Sequence, residues 1–418
     1  MKLSDIAEFV TDKISSSSIS LDSYVTTDSL LHNKRGRELA QNLPPMQCAL
    51  TNYKKGDVLV ANIRPYLKKV WFADSEGGCS SDVLAFRAKN GHCSSYLYTV
   101  LMQDAFFDYA MSGAKGSKMP RGDKDQIMRY ELPTFTPVEE ETIGNMVVDI
   151  MSKININRQI NDNLEAMAKQ LYDYWFVQFD FPNEEGKPYK SSGGAMVWNE
   201  KLKREIPQGW DFCFLENLLT IKNGRDHKHL ADGIYPVYGS GGEMRKASEY
   251  LYDGESVLMP RKGSLNNIMY VNEAFWTVDT MFYSEMKQSN CAKYIYYTIK
   301  DIDFTRWDSG TGVPSMTSST LYSIKLVKPQ SEILKKFDEV ISPLFEHMKQ
   351  ISEQNSVLTK QRDELIPLLM NGQASINYHL FVLFISKIIV YYKETNINFE
   401  YERNNTKRFR WNEIGFDR

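Results

Sequence analysis

The stretch "YKKGDVLVANIRP", residues 53–65, returns in altered form as "YDGESVLMPRKG", residues 252–263. Each copy places a glycine beside an acidic residue, then a short Val/Leu run, then polar and basic residues. A turn signal followed by a short run of Val and Leu is typical of a buried strand. The two copies predict that the same strand is built twice in one chain.

Other landmarks recur in the same order and at nearly the same separation. Gly56 and Gly254 are 198 residues apart, and the Ser-Gly pairs beginning at Ser112 and Ser309 are 197 apart. The Lys-Gln pairs beginning at Lys169 and Lys360 are 191 apart. A nearly constant offset of this size predicts a tandem duplication of a whole domain plus a helix, because solenoid repeats have much shorter periods.

Each copy has a globular part followed by one long helix. The globular parts are rich in short strand-like runs, such as "GDVLVANI", "DVLAFRA", "SVLMP" and "SIKLVKP". The sequence predicts helices over residues 139–176 and 331–370, each roughly 55–60 Å long at the α-helical rise. The segment between the copies, residues 181–210, is rich in Gly, Ser, Pro and charge, which is typical of a connector.

Apolar residues in both helices follow steps of four and three, the spacing of a coiled-coil seam. Asn157 and Asn161 lie in the first seam, and Asn355 and Arg362 lie in the second; such polar residues fix register at a cost in stability. The apolar positions of the two seams are Ile143, Val147, Ile150, Ile154, Leu164, Ala168, Leu171 and Trp175, and Ile333, Phe337, Val340, Leu344, Met348, Ile351, Leu358, Leu365 and Leu369. Two such helices should pack on each other, although both could also be ordinary core helices.

Two prolines lie inside the second predicted helix. Pro343 and Pro367 each remove a backbone donor and crowd the preceding turn. The sequence therefore predicts a kink or a break near each of them.

Composition bounds the class of protein. The 418 residues include 50 Lys+Arg and 53 Asp+Glu, a net charge of -3, which argues against a uniformly basic nucleic-acid coat but allows a local basic face. Five scattered cysteines with no zinc spacing suggest reduced thiols in a cytoplasmic protein. The N-terminus lacks an apolar signal region. The apolar run at 380–392 is shorter than the about 20 residues that span a bilayer.

The sequence contains no convincing catalytic motif. A phosphate-binding loop, a dinucleotide fingerprint, a nucleophile elbow and the tetrapeptide of amino-methyltransferases are all missing. His227 and His229 could bind a metal, and Asp82, Asp123 and Asp125 could be nuclease carboxylates. Both are the less favoured interpretations, because isolated polar residues of this kind usually lie on a solvated surface.

Basic and amide residues instead cluster after the repeated strands and around the two Ser-Gly loops. Lysine and arginine can contact phosphates and guanine, and asparagine can pair with adenine. A solvated charged surface remains the alternative for any single residue. The candidate DNA-binding residues are Asn62, Arg64, Lys68, Lys115, Lys118 and Arg121 in the first copy, and Arg225, Lys228, Arg261, Lys262, Asn266 and Arg306 in the second.

These features resemble the specificity (S) subunit of type I restriction–modification systems. The resemblance covers nearly all of residues 1–376. It rests on "NIRPYLKKVW", "NDNLEAMAKQLYDYWFVQFDFPNEEGKPYKSSGG", "IPQGW", "GTGVPSMTSSTLYSIKLVKP" and "LTKQRDELIPLLMNGQ". It implies an α+β fold with two globular mixed α/β target-recognition domains in tandem pseudo-repeat, separated by two long antiparallel coiled-coil helices.

The resemblance also implies domain limits. The two target-recognition domains would be residues 1–137 and 208–328. The central long helix would be 138–178, the connector 179–207 and the distal long helix 329–373. Residues 374–418 form an atypical C-terminal tail that departs from the family pattern.

The function implied is DNA-sequence recognition without catalysis. Each target-recognition domain would read one half of a bipartite site on double-stranded DNA. The helices would set the spacing and dock two methyltransferase (M) subunits, with restriction (R) subunits bound through them. No cofactor, metal or membrane is implied for the chain itself. A methyltransferase or nuclease with unrecognised motifs, and a coiled-coil interaction protein that does not bind DNA, remain alternatives.

Overall fold

The chain forms two compact units in a computed structural model that describes residues 1–308 and 312–372. The first unit contains residues 1–152 and, of the later chain that the structure describes, residues 358–372. The second unit is the continuous stretch 153–357. The atypical tail expected at 374–418, and residues 309–311 at the start of the second Ser-Gly loop, lie outside the described residues.

The first unit combines two four-stranded sheets with short helices. The strand orders are β1-β8-β5-β6 and β2-β4-β7-β3. The strands are β1 (Ala7–Phe9), β2 (Lys13–Ser15), β3 (Tyr24–Val25), β4 (Ala49–Tyr53), β5 (Val58–Ala61), β6 (Val70–Phe72), β7 (Gly77–Cys79) and β8 (Val83–Ala88). The helices are α1 (Leu3–Ile6), α2 (Ser94–Leu101), α3 (Asp104–Ser112) and α4 (Lys124–Ile127).

The second unit has a larger, six-stranded sheet with the order β12-β17-β15-β16-β13-β14 and the two-stranded pairs β10-β9 and β11-β18. Its strands are β9 (Met196–Asn199), β10 (Arg204–Pro207), β11 (Asp211–Phe214), β12 (Leu219–Asn223), β13 (Asp232–Gly239), β14 (Gly242–Ala247), β15 (Tyr252–Pro260), β16 (Met269–Thr277), β17 (Met281–Met286) and β18 (Lys325–Lys328). Its short helices are α6 (Ala292–Lys300) and α7 (Ser318–Tyr322). The fold is therefore mixed, with helices around several sheets.

The repeated sequence stretch forms the same element in both units. In the first, β5 lies between β6 and β8, and Val60 pairs with Val70. In the second, β15 lies between β16 and β17, and Leu258 pairs with Met269. Val60 and Leu258 are 198 residues apart, the offset of the two glycines in the sequence. Strands β8 and β17 occupy equivalent places, beside β5 and β15. A helix follows each of them along the chain, α2 after β8 and α6 after β17.

The two long helices begin and end close to their predicted limits. Helix α5 (Pro137–Tyr172) continues into a π-helical turn at Asp173–Val177. Helix α8 (Ser331–Met370) matches the predicted range and is continuous through Pro343 and Pro367. A break at either proline is therefore wrong, and the alternative of a kink stays a prediction. Both prolines are exposed, and the helix tolerates the loss of their backbone donors.

The seam prediction holds for most positions and fails at one. Ile154 and Phe337 are fully buried, as expected for seam positions. Val340, however, is 44% exposed, and its neighbour Ile341 is fully buried in its place. The row of buried side chains on α8 therefore shifts by one residue at this point. Such a shift is expected because an α-helix has about 3.6 residues per turn, whereas a strict heptad repeat corresponds to about 3.5.

Polar seam residues meet each other within the second unit. Asn157 is buried, and its Nδ2 donates to Asn355 Oδ1 at 2.9 Å and to Gln354 Oε1 at 2.5 Å. One turn later, Asn161 Nδ2 donates to Ser352 Oγ at 3.1 Å. Because the partner number falls as the first number rises, these segments of α5 and α8 run antiparallel. Asn157 and Asn355 are themselves 198 residues apart.

In the first unit, Arg362 occupies the seam position predicted for it. Its side chain is buried, and its guanidinium donates to Asp363 Oδ1 and to the sulfur of Met151. Asp363 also accepts from Lys34, at 3.3 Å. The buried charge is therefore neutralised by a neighbouring carboxylate.

The buried amide of Asn157 should contribute to the stability of the helix pair. Replacing Asn157 by leucine leaves the acceptors of Gln354 and Asn355 facing an apolar side chain. We expect the free energy of unfolding, measured by urea titration, to fall by about 1–3 kcal/mol. Replacing Asn355 by leucine as well should restore part of it, because Gln354 is then the only one of the two acceptors that has lost its donor. An equal fall in the double variant would contradict this.

Candidate nucleic-acid interface

In the first unit, the residues after β5 are joined to the end of the Ser-Gly loop by backbone hydrogen bonds. Arg64 N donates to Pro120 O at 2.7 Å, and Gly122 N donates to Asn62 O at 3.1 Å. Pro120 is buried, whereas Arg64 is exposed. The structure thus brings together the two basic clusters that lie far apart in the sequence.

The loop itself is closed by a pair of reciprocal bonds. Lys115 N donates to Arg121 O and Arg121 N donates to Lys115 O, both at 2.9 Å. The side chains of both residues point to acids: Arg121 pairs with Asp82 at 3.0 Å and Lys115 with Asp123 at 3.1 Å. Both cations remain well exposed, so they can still contact a ligand anion.

Arg64 and Lys68 flank a 3₁₀ turn at Pro65–Leu67, and both have left-handed backbone conformations, with φ of 52° and 50°. Their side chains have different surroundings. Lys68 pairs with Asp104 at 2.8 Å, as does the buried Lys34. Burial opposes ionisation of Asp104, but the hydrogen bonds from Lys34 and Lys68 outweigh it and lower its pKa. Lys68 is therefore engaged by a carboxylate of the protein itself, whereas Arg64 is exposed beside the loop.

Asn62 and Lys118 also differ in what they can reach. Asn62 Oδ1 is buried and accepts no hydrogen bond from the described residues. Lys118 is exposed near the tip of the loop. Of the two, Lys118 is the better placed for contact with a phosphate.

The second unit repeats this arrangement. Gly263 N donates to Pro314 O at 3.0 Å, and Met316 N donates to Arg261 O at 2.8 Å. Thus the end of the second Ser-Gly loop is bonded to the residues after β15, just as the first loop is bonded to those after β5. Lys262 is exposed beside this junction, and Arg261 is half-buried.

Asn266 is occupied by the protein itself. Its Nδ2 donates to Asp303 Oδ1 at 3.1 Å, and its Oδ1 accepts from Phe304 N at 2.8 Å. Hydrogen bonds from Thr305 and then Asn266 lower the pKa of Asp303. Arg306 pairs with the same carboxylate at 3.2 Å but stays 80% exposed. Asn266 thus anchors the start of the loop, and Arg306 remains accessible.

Of the two remaining predicted residues, Arg225 and Lys228, the first lies beside the same turn of the chain as Arg261. Arg225 N donates to Thr277 O and Arg261 N to Thr280 O, so both residues adjoin the turn between β16 and β17. Lys228 is exposed, and its backbone N donates to Asp226 Oδ1 at 3.4 Å, within its own turn of the chain.

The alternative metal and nuclease sites receive no support from geometry. Nδ1 of His227 accepts from Arg245 at 3.2 Å. Asp82 and Asp123 pair with basic residues of the loop, and Asp123 also caps α4. Across residues 1–308 and 312–372, no three His, Cys, Asp or Glu side chains gather as metal ligands would. Within the same ranges, no helix is long and apolar enough to cross a bilayer.

Each unit therefore offers exposed cations on a loop whose base is fixed by backbone hydrogen bonds. The sequence analysis selected the cations but missed two exposed apolar side chains just before the loop prolines, Met119 and Val313. The recurring apolar–proline pair in "KMPR" and "GVPS" is the sequence signal that marks them.

Comparison with known proteins finds similarity to specificity subunits of type I restriction enzymes, over part or most of the chain. The family model for the type I restriction modification DNA specificity domain matches residues 207–355. The chain is 24% identical over 372 residues to the type I restriction enzyme MjaIX specificity subunit of Methanocaldococcus jannaschii, covering 82% of this chain and 83% of that protein. It is 20% identical over 430 residues to the HindI specificity subunit of Haemophilus influenzae, covering 84% of this chain and 94% of that protein.

Solved structures agree at the level of the fold. The crystal structure of a type I restriction–modification S subunit from M. genitalium aligns with a TM-score of 0.56 at 15% sequence identity. The alignment covers 90% of this chain and 96% of that one.

Removing the exposed cations of the first loop should weaken binding of duplex DNA. We expect the double substitution Lys118→Ala and Arg121→Ala to raise the dissociation constant. It should also reduce the slope of log K against log salt by about 1 for each phosphate that the protein no longer neutralises. The measurement is a titration of labelled duplex over a range of salt concentrations. Lys203→Ala, also at an exposed, acid-paired lysine, is the matched control. Unchanged affinity and slope would mean that the loop is purely structural.

Proposed function

We infer, from the chain's similarity to type I restriction–modification specificity subunits, that it selects the DNA sequence on which a methyltransferase and a restriction subunit act. The observation that carries this proposal is the recurrence of one loop junction in both units. The backbone bonds are the same, but the side chains around them differ. Two loop junctions with the same backbone hydrogen bonds but different side chains would suit two half-sites of different sequence.

The proposed target is bipartite, with one half-site for each target-recognition domain. These domains are residues 1–137 and 208–328, and each carries one of the two loops. Exposed lysines and arginines would position each domain on the phosphates, and contacts to base edges would specify the sequence.

The long helices are the proposed ruler between the half-sites. The central helix (138–178) and the distal helix (329–373) would form the antiparallel coiled coil, with the connector (179–207) between the first helix and the second domain. The hydrogen bonds from Asn157 to Asn355 and Gln354 support this pairing. A fixed separation between the two recognition domains would demand a fixed gap between half-sites, as dimer geometry does elsewhere.

The chemistry would belong to the partners. Two M subunits would dock on the helices, with R subunits bound through them in the cytoplasm. The chain itself would act without a cofactor and without catalysis. This proposal rests on the family, and on candidate residues that are cations and amides rather than a nucleophile with its base.

A genome-wide map of methylated bases tests the function. We expect deletion of this gene, with its methyltransferase gene intact, to abolish one methylated motif made of two short, different half-sites with a fixed gap. Restoring the gene should restore the motif. An unchanged map, both for this chain and for a chain cut after Ile376, would contradict the proposal. If only the shortened chain creates a methylated motif, residues after Ile376 silence the longer form. Methylation or cleavage by the purified chain alone would favour an enzyme instead.

Two docking positions for the methyltransferase predict a definite stoichiometry. Co-expressed M subunit and this chain should purify as a complex with two M copies to one chain, measured by native mass spectrometry. The physical reason is that a duplicated chain offers each M-binding surface twice. A one-to-one complex at saturating M subunit would contradict it.

A further inference from the structure

Each unit exposes one apolar side chain directly before a proline at the same place in the fold. Met119 precedes Pro120, and Val313 precedes Pro314; both pairs are 194 residues apart. Met119 is 52% exposed and Val313 is 59% exposed. Single exposed apolar residues are common on protein surfaces, so exposure alone means little. Recurrence at equivalent positions in two diverged copies calls for a separate physical cause.

In the first unit, the backbone fixes Met119 at the tip of a closed loop. The reciprocal bonds between Lys115 and Arg121 close the base, and Pro120 is buried. Gly116 has φ of +98°, and a Cβ there would lie 3.3 Å from the carbonyl oxygen of Met119. The turn therefore favours glycine, and it presents the methionine side chain outward on a short, well-anchored base.

In the second unit, different contacts give Val313 the same position. Ser315 N donates to Asp308 Oδ1 at 2.8 Å, and Pro314 O accepts from Gly263 N. Met316 is buried in the core and ends the loop. Val313 therefore projects from a segment that is tied down immediately after it.

Both side chains lie on segments that carry or contact basic residues. Met119 lies next to Lys118 in the chain, on a loop that is bonded to Arg64. Val313 lies on a segment bonded to the backbone that carries Arg261 and Lys262. Cations of this kind attract the phosphates of a duplex but carry no sequence information. An apolar side chain among them has nothing to gain from phosphates, whereas the C5-methyl of thymine offers it an apolar contact in the major groove.

We propose that Met119 and Val313 are sequence-reading residues, each making an apolar contact with a thymine methyl group in one half-site. This rests on the proposed function in DNA recognition. Met119 serves the half-site of the first unit and Val313 that of the second. The difference between a long, flexible thioether and a short, branched side chain contributes to the difference between the half-sites.

The test uses the full chain in complex with its methyltransferase subunit. In methylation maps, Met119→Ala should relax one A·T position in one half-site only, and Val313→Ala should relax one in the other half-site only. Met119→Leu keeps an apolar contact and should keep the motif. Met46→Ala and Val197→Ala, at other exposed apolar positions of the two units, should change nothing. Maps of Met119→Ala and Val313→Ala that match the wild type would overturn the proposal.

Uracil substitution isolates the methyl group. On a duplex in which the relaxed thymine is replaced by uracil, the methylation rate of the wild-type complex should fall about fourfold, to that of the alanine variant on either duplex. An unchanged wild-type rate would sink the thymine contact. If the wild-type complex shows no bipartite motif at all, the proposed function fails first, and the two failures are thereby distinguished.

Discussion

The second unit depends on aromatic side chains at the end of α5 packing against the start of α8. The ring of Phe176 lies 4.8 Å from that of Phe337 and 4.7 Å from that of Tyr294, and Trp175 lies 5.6 Å from Phe337. All four rings are buried in the core that also holds α6 and the β11–β18 pair. Because burial of large aromatic rings is a dominant stabilising term, these contacts fix where the globular part begins on its helices. Val257 and Met259 of β15 are buried in the same core.

Much of this architecture could be predicted because it depends on local patterns. The strand "GDVLVANI" became β5, its counterpart became β15, and both long helices were placed to within a few residues. The burial of Asn157 beside Asn355 also followed from seam spacing. Such features are encoded by short-range periodicity, which a single sequence displays directly.

The candidate site was less predictable because side-chain partners come from distant parts of the chain. Lys68 and Asn266 looked like surface ligands, yet Asp104 and Asp303 occupy them. Lys115 and Arg121 pair with acids too, but from exposed positions that leave them accessible. The exposure of Val340 could not be foreseen, since it depends on how the whole helix turns relative to its core. The exposure of Met119 and Val313 was not predicted, because apolar residues are expected in the protein interior.

The two units differ in how the chain enters them, and this has a consequence for synthesis. The second unit is a continuous stretch, 153–357, whereas the first includes residues 1–152 and the later part of α8. Domains ordinarily fold in order of emergence from the ribosome. Here the first unit includes residues that are translated after the whole second unit. Among them are the buried Leu358, Arg362 and Ile366. The nascent first unit thus carries an unfilled apolar face throughout translation of the second, a period in which a chaperone would have the most to protect.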